Sequence, residues 1–220
     1  MITSLRIIRQ SGIAMRCWIW LLICPVFTLW HCGNTNLQGV PAASAEQSID
    51  NGWLEYKVEE FENAKMEFNS AVTVEPSIAE AYNGLGWANF RLRLPQQAIF
   101  QFTAGIDIDT TDAENYQNML VGVAFAYFEV DNFSRAEQML VRVINTAPNK
   151  FDMVAPEYQF QHDGLVTSVE VRLLQAMILY YNGRYEAAYN IIKDYLKPGI
   201  ILNPDQSGFE GALLRELESL

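Results

Sequence analysis

Apolar residues recur at intervals of three and four along most of the chain, which is the spacing of one face of an α-helix. Two of these segments, 61–76 and 95–110, align without a gap. The matching small and large residues are each 34 positions apart: Ala64 and Ala98, Phe68 and Phe102, Ala71 and Gly105, and Pro76 and Thr110. A fixed period of this length predicts a chain built from repeated helical units.

Two further copies of the pattern follow at longer spacings. The segment 133–148 is shifted by 38 residues from the second copy, and 185–199 is shifted by another 52. The second shift corresponds to an insertion at 151–168, part of which alternates in polarity around the turn signal Asp163-Gly164. This part of the insertion is expected to form a small hairpin.

The repeated pattern resembles the tetratricopeptide repeat (TPR), a helix–turn–helix unit of 34 residues. The second copy has the family's small and large residues in register: Leu85 and Gly86, then Ala98, Phe102 and Gly105. The resemblance covers roughly residues 45–200. It implies an all-α fold, a right-handed TPR-like α-solenoid of about four repeats with a C-terminal capping helix.

The repeats are expected at 46–78, 79–112, 113–150 and 168–200, followed by a capping helix within 201–220 that carries Leu213, Leu214 and Leu217. Four residues precede an acidic or amide residue by three positions and are therefore predicted N-caps: Ser44, Ser77, Thr111 and Ser134. The turn at 91–95, "RLRLP", lacks the glycine that the family usually has there and is expected to be atypical.

A Gly-x-Gly at Gly84 and Gly86 superficially suggests a phosphate-binding loop. No strand precedes it and the segment has the pattern of an amphipathic helix, so that interpretation fails on context. Small residues where two helices cross let the backbones approach each other. Gly86 and Gly105 are therefore predicted to be packing glycines.

The first 45 residues are predicted to be a targeting segment and a tether. Three arginines precede a short apolar stretch at 17–30, the pattern of a secretory signal over 1–32, and translation starts at either Met1 or Met15. "LWHCGN" resembles a bacterial lipobox with Cys32 as the lipidated residue, although His31 departs from the expected small residue. The alternative is cleavage after Ala45. With lipidation, 33–45 is a polar tether between the lipid and the repeats.

The resemblance implies that the first helix of each repeat lines a concave groove. The residues of this chain that correspond to the family's groove positions are Trp53, Tyr56, Trp87, Phe90, Arg91, Phe125, Phe128, Met177 and Tyr180. Trp53, Trp87, Phe125 and Met177 occupy a row where the family usually has a polar residue such as Asn. This unusual row makes the groove the candidate partner-binding site.

Large apolar side chains left in water lose roughly 1.5–3 kcal/mol each, so something is expected to cover this row. One candidate is a partner's apolar helix or extended segment. The other is the insertion itself, which carries Phe151, Met153, Tyr158 and Phe160. The sequence leaves both open.

Charge and composition narrow the partner class. After residue 32 there are 12 basic and 26 acidic residues, a net charge of −14, which disfavours nucleic acid and anionic lipid. The three cysteines, Cys17, Cys24 and Cys32, all lie in the signal region. The groove also lacks the Lys, Asn and Arg clamp with which chaperone-binding members of the family hold a C-terminal carboxylate.

The sequence offers few candidate catalytic or metal-binding residues. His162, with Glu157 and Asp163 nearby, is a weak metal motif and is interpreted as a surface turn. The acidic run at 107–114 lacks the glycine of a calcium loop and is interpreted as helix ends and an N-cap. No catalytic residue, metal, cofactor or small-molecule substrate is predicted.

The function expected from these patterns is a non-enzymatic protein-interaction scaffold or adaptor on the periplasmic side of a bacterial envelope, anchored in the outer membrane by lipid. Two alternatives remain: a structural subunit of an envelope complex for outer-membrane assembly, secretion or cell-wall synthesis, and, less favoured, an enzyme or metal protein built on the insertion.

Overall fold

A computed structural model of the chain describes residues 43–146 and 158–220. The described residues form nine α-helices and no regular strand. The first six are α1 (Ala45–Lys57), α2 (Phe61–Val74), α3 (Ala79–Arg91), α4 (Pro95–Ile108), α5 (Ala113–Glu129) and α6 (Phe133–Thr146). The last three are α7 (Ser168–Tyr181), α8 (Tyr185–Ile191), which continues into a π-helical turn (Ile192–Leu196), and α9 (Phe209–Ser219).

Successive helices pack against each other in pairs, and the first helices of neighbouring pairs also touch: α1 with α3, α3 with α5, and α5 with α7. This arrangement confirms the predicted all-α TPR-like solenoid. The predicted signal 1–32, with Cys32, and nearly all of the tether 33–45 lie outside the described residues. Among the described helices, none has both the length and the apolar character needed to cross a bilayer.

A buried phenylalanine ring joins the first repeat to the second. Phe68 of α2 is fully buried between two glycines, Gly52 of α1 and Gly84 of α3. A Cβ added at these glycines would lie 2.7 Å and 2.3 Å from the Phe68 ring, closer than real Cβ atoms approach. Neither glycine can therefore be replaced without moving the ring.

The same arrangement recurs one repeat later. Phe102 of α4 lies between Gly86 of α3 and Gly122 of α5, where an added Cβ would come within 2.4 Å and 2.3 Å of its ring. At Gly105 an added Cβ would lie 2.5 Å from Met119 Sδ. Gly86 and Gly105 are thus packing glycines, as predicted.

The turns inside all four helix pairs have one conformation. Glu59, Arg93, Asp131 and Gly183 have φ of 65°, 63°, 57° and 76°, in the left-handed region. The next residue donates its N–H to the carbonyl five positions earlier, as from Leu94 to Asn89 in the second turn, which is a Schellman motif. The expectation of an atypical turn at 91–95 was therefore wrong, because Arg93 adopts the left-handed conformation in place of glycine.

One of the four predicted N-caps is confirmed. The Ser44 hydroxyl accepts a hydrogen bond from Gln47 N at 3.1 Å. The predictions at Ser77, Thr111 and Ser134 were wrong. The residue before α3 is Ile78, which makes no side-chain cap, and α5 is capped by the Asp112 carboxylate. Before α6, the Asn132 side chain accepts a hydrogen bond from Arg135 N. The carboxylate of Glu80, which was expected to complete a capping box with Ser77, instead accepts a hydrogen bond from Trp53.

The acidic run before α5 has the helix-end roles expected of it. Asp109 follows the last residue of α4, and its Oδ1 accepts a hydrogen bond from Thr111 N at 2.6 Å. Asp112 accepts from the N–H groups of Glu114 and Asn115, both at 3.1 Å.

The last helix covers the fourth repeat. Leu213 and Leu217 of α9 are buried, and Leu214 is partly buried. Leu213 and Leu217 join a cluster with residues of α7, α8 and the π-helical turn, including Met177 and Ile192. This packing covers the apolar end that a solenoid would otherwise expose.

The packing of the glycines predicts opposite effects of the same substitution at two helical sites. Gly86→Ala is expected to lower the free energy of unfolding by about 1–3 kcal/mol, because the new methyl group overlaps the Phe102 ring. The control is Gly211→Ala in α9, where the nearest atom to an added Cβ is Arg215 Nη1 at 3.7 Å and helix propensity favours alanine by about 0.8–1 kcal/mol. Urea unfolding followed by circular dichroism measures both. Equal effects of the two substitutions would contradict the packing role.

Candidate functional site

The described end of the insertion, residues 158–167, forms a tight turn that we call the strap. Phe160 N donates to Val166 O at 2.8 Å, and Ser168 N donates to Tyr158 O at 2.9 Å. Gln159 and Thr167 form a single antiparallel bridge. The predicted hairpin is thus reduced to one bridge around a turn at Asp163-Gly164.

The strap leads directly into α7 through a capping box that the sequence analysis missed. The Thr167 hydroxyl accepts from Val169 N, and the Glu170 carboxylate accepts from Thr167 N at 3.2 Å. This box fixes the point at which the strap ends and the fourth repeat begins.

The strap crosses the first helices of three repeats, from α5 through α3 to α1. The contacts along its path are Tyr158 OH with Asn118 Oδ1 at 2.9 Å, the Phe160 ring with Trp87 at 4.7 Å between centroids, and the His162 ring with Trp53 at 3.7 Å. The last two pairs are stacked, with interplanar angles of 24° and 7°. The strap therefore lies on the face predicted to be the groove.

This position shows how the first half of the unusual apolar row is covered. Trp53 and Trp87 are 5% and 0% exposed, and Phe160 itself is 1% exposed. Of the two coverings left open by the sequence, the structure shows the intramolecular one, through Tyr158 and Phe160. Phe151 and Met153 lie outside the described residues. Binding of a partner by the same groove residues stays a prediction.

A buried carboxylate anchors the strap between two helices. Asp163 Oδ2 accepts hydrogen bonds from Arg91 Nη1 of α3 at 2.5 Å and from Tyr56 OH of α1 at 2.9 Å. Its Oδ1 accepts from Leu165 N at 3.0 Å. The Arg91 and Asp163 side chains are only 10% and 5% exposed. Removing one partner of an ion pair that is buried to this degree strongly destabilises the folded protein, because the other charge is left without its counter-ion.

The surroundings of Arg91 favour its charged form. The guanidinium lies over the Phe61 ring, 4.4 Å from its centroid. Burial by itself would lower the pKa of Arg91, but the neighbouring Tyr56 and Asp163 raise it above its ordinary value. Burial and the Asp163 carboxylate raise the pKa of Tyr56, so its hydroxyl stays protonated and donates.

His162 is neutral near pH 7. Burial, together with the charge of Lys57, lowers its pKa to about 4. Its Nε2 lies 4.0 Å from Glu80 Oε1, and the same carboxylate oxygen accepts a hydrogen bond from Trp53 Nε1 at 2.7 Å. Burial raises the pKa of Glu80. The interpretation of His162 and Asp163 as a surface turn was wrong, because both side chains point into the face formed by α1 and α3.

The other predicted groove residues divide between two parts of the core. Phe90 and Phe125 lie 6.0 Å apart beside the strap, in the cluster that contains Trp53 and Trp87. Met177 is buried among residues of the fourth repeat and α9, where Tyr180 contacts Tyr185. Phe128 packs against both clusters. The apolar residues among the nine therefore fall in two hydrophobic clusters, which Phe128 joins.

Sequence reasoning missed two residues that shape this face, Asp163 and Glu80. Asp163 was interpreted as part of an Asp-Gly turn and of a weak metal motif with His162, and Glu80 only as part of a capping box. One available signal was Arg91, a lone cation among aromatic groove positions, which requires an anion once it is buried.

The comparisons with known proteins bear on the fold. No protein-family model matches the chain, and no curated protein matches it in sequence. The fold is similar to the crystal structure of MamA protein, a TPR-containing protein, with a TM-score of 0.54 and 18% identity over 76% of this chain and 83% of that chain. This likeness shows the fold alone.

The packing of the strap predicts a large effect of one side chain. Phe160→Ala is expected to lower the free energy of unfolding by about 3–5 kcal/mol, because it removes a buried ring that stacks on Trp87. The control is Leu165→Ala in the same strap, where the side chain is 41% exposed and the expected change is below about 1 kcal/mol. Chemical unfolding measures both. Similar losses for the two variants would contradict the packing of the strap on α1 and α3.

The burial of His162 predicts a pH dependence. Between its ordinary pKa of 6.5 and about 4, the unfolded chain binds a proton at His162 that the folded chain does not. The free energy of unfolding is therefore expected to fall as the pH is lowered through this window, by up to about 3 kcal/mol from this group. Glu80, whose pKa is raised, acts in the opposite direction.

His162→Phe isolates the histidine contribution, since it keeps a ring on Trp53 and leaves Glu80 in place. Urea unfolding from pH 7 to pH 4.5 is expected to give a smaller loss of stability in His162→Phe than in the unaltered chain. Parallel curves for the two proteins would show that His162 is not held neutral by its burial.

Proposed function

We propose that this protein is an exported, non-enzymatic scaffold of a bacterial cell envelope, anchored by a lipid on Cys32, that binds a protein partner through the aromatic face of its first helices. The observation that carries the proposal is this face itself. Trp53, Trp87 and Arg91 already hold a segment of the chain itself, the strap, by stacking and by an ion pair.

The mechanism is presentation of a rigid surface. Stacked helix pairs joined by buried rings such as Phe68 and Phe102 keep the first helices in fixed relation, so a partner is bound with little ordering of the scaffold. Aromatic and arginine side chains are also the types that dominate binding energy at protein interfaces. Nucleic acid is disfavoured as a partner by the net charge of −11 over the whole chain.

The proposed location rests on the amino-terminal sequence. A basic region followed by a short apolar stretch is typical of export, and the lipobox-like segment around Cys32 favours lipidation. The tether 33–45 would then place the repeats on the periplasmic side, at the outer membrane.

The first part of the proposal is tested by lipid labelling. The full chain, expressed in a Gram-negative bacterium with radiolabelled palmitate, is expected to carry the label and to fractionate with the outer membrane. Cys32→Ala is expected to lose both properties, while Cys24→Ala, a matched change in the same segment, keeps them. Labelling that survives Cys32→Ala, or a soluble product beginning at Glu46, would contradict lipid anchoring at Cys32.

Chemical crosslinking in the same cells tests for a partner. A scaffold that exchanges partners is expected to give crosslinks whose yield varies with partner abundance, whereas a structural subunit would co-purify in fixed stoichiometry. If Trp53→Ala together with Trp87→Ala lowers thermal stability but leaves partner capture unchanged, these tryptophans serve as internal core only. Metal in stoichiometric amount in the purified chain would favour the metal-protein alternative instead.

A further inference from the structure

The face beneath the strap contains a carboxylate site. Tyr56 and Arg91 come from different helices, α1 and α3, yet both donate to the same oxygen of Asp163. Phe61 covers one side of the Arg91 guanidinium. Because a buried cation without an anion is costly, these helices require a carboxylate at this point whatever chain supplies it.

The ring-binding positions lie at a fixed distance from the carboxylate. Phe160, three residues before Asp163, fills the space between Trp87 and the edge of Trp53. His162, directly before Asp163, stacks on Trp53. Phe160 to Asp163 form a turn, closed by a hydrogen bond from Asp163 N to Phe160 O at 3.1 Å. The face therefore recognises a short pattern held in a turn: an aromatic residue, any residue, a flat ring and a carboxylate.

The strap contacts the helices chiefly through its side chains. Its backbone hydrogen bonds close its own turn: Phe160 N donates to Val166 O, Asp163 N to Phe160 O, and Val166 N to Asp163 O. The chain continues past Asp163 through Gly164 to Val166, so the site accepts a carboxylate in the middle of a segment. The ligand it fits is thus an internal aspartate, not a chain terminus.

The tryptophan that stacks on Phe160 of the strap carries a buried donor without a partner among the described residues. Within residues 43–146 and 158–220, the buried Nε1 of Trp87 has no hydrogen-bond acceptor. A buried donor left without an acceptor costs about 1–3 kcal/mol. A segment that repeats the side-chain pattern of the strap and also supplies this acceptor would bind more favourably than the strap itself.

We propose that Arg91 and Tyr56 form a carboxylate-binding site for a turn of a partner protein, in which an aspartate follows an aromatic residue by three positions, and that the strap occupies this site in the absence of the partner. The proposal rests on the proposed function, since it names the kind of partner segment that the scaffold binds. The carboxylate site differs from the family's clamp for C-terminal carboxylates, whose residues this chain lacks.

The test uses a fluorescein-labelled peptide with the sequence of residues 158–167 and the full chain in detergent. In the receptor, Phe160→Ser with Asp163→Asn removes the strap's own ring and charge. Fluorescence anisotropy is expected to show that the peptide binds this double variant at least about ten-fold more tightly than the unaltered chain. A peptide with asparagine in place of its aspartate is expected to bind the double variant at least about ten-fold more weakly, because it loses a charge-assisted hydrogen bond.

Arg91→Gln added to the double variant is expected to abolish the preference for the aspartate peptide. The matched control is Arg135→Gln, the same change at an exposed position of α6, which should keep the preference. If circular dichroism shows that the double variant is unfolded, Asp163→Asn alone serves as the receptor, with the same peptides.

Three results would overturn the proposal. The first is equal binding of the two peptides by the folded receptor. The second is a preference for the aspartate peptide that survives Arg91→Gln. The third is an asparagine peptide with a free terminal carboxylate that binds as tightly as the aspartate peptide. Failure of the proposed function is separate, since it is shown by absent lipidation and absent crosslinks in cells. A fourth result would also overturn the carboxylate-site proposal: crosslinks that persist in the presence of excess aspartate peptide would place the partner on another surface, while leaving the scaffold function intact.

Discussion

The close approach of neighbouring helix pairs is the constraint on which the rest of the structure depends. Phe68 and Phe102 each lie between glycines of two successive first helices, so a single ring fixes the position of three helices at once. The distances leave no room for even a methyl group at these glycines. Because the first helices are held in this way, their aromatic rows are also held in register, and the candidate site is a consequence of the core packing.

The second consequence of this packing is a surface that cannot stay exposed. Trp53 and Trp87 follow each other along the stacked helices and would otherwise present a continuous apolar patch to water. The strap resolves this within the chain, with Phe160 and His162 as its covering rings. The chain thus brings one of its own segments to the face that the sequence predicts for a partner.

The strap is attached by electrostatics as well as by apolar contact. Arg91 is far less hydrated than a surface arginine, so its pairing with Asp163 is strongly required and its geometry is specific. Stacking alone would tolerate many segments, whereas the requirement for a carboxylate at one point restricts what can lie on the face. The combination supports a site that discriminates between segments.

The sequence by itself determined the repeat period, the helices and the fold class, because those follow from local periodicity and from small residues at fixed spacing, as at Gly86, Ala98 and Gly105. It also identified the aromatic row at Trp53 and Trp87 as unusual. Only the tertiary structure decided what covers that row and how Arg91 is paired. Arg91 and Asp163 are 72 residues apart, and their meeting depends on the stacking of three repeats and on the path of an insertion with no counterpart in the other repeats. No local pattern encodes such a contact, and for the same reason the burial of His162 and the left-handed conformation of Arg93 became visible only in the folded chain.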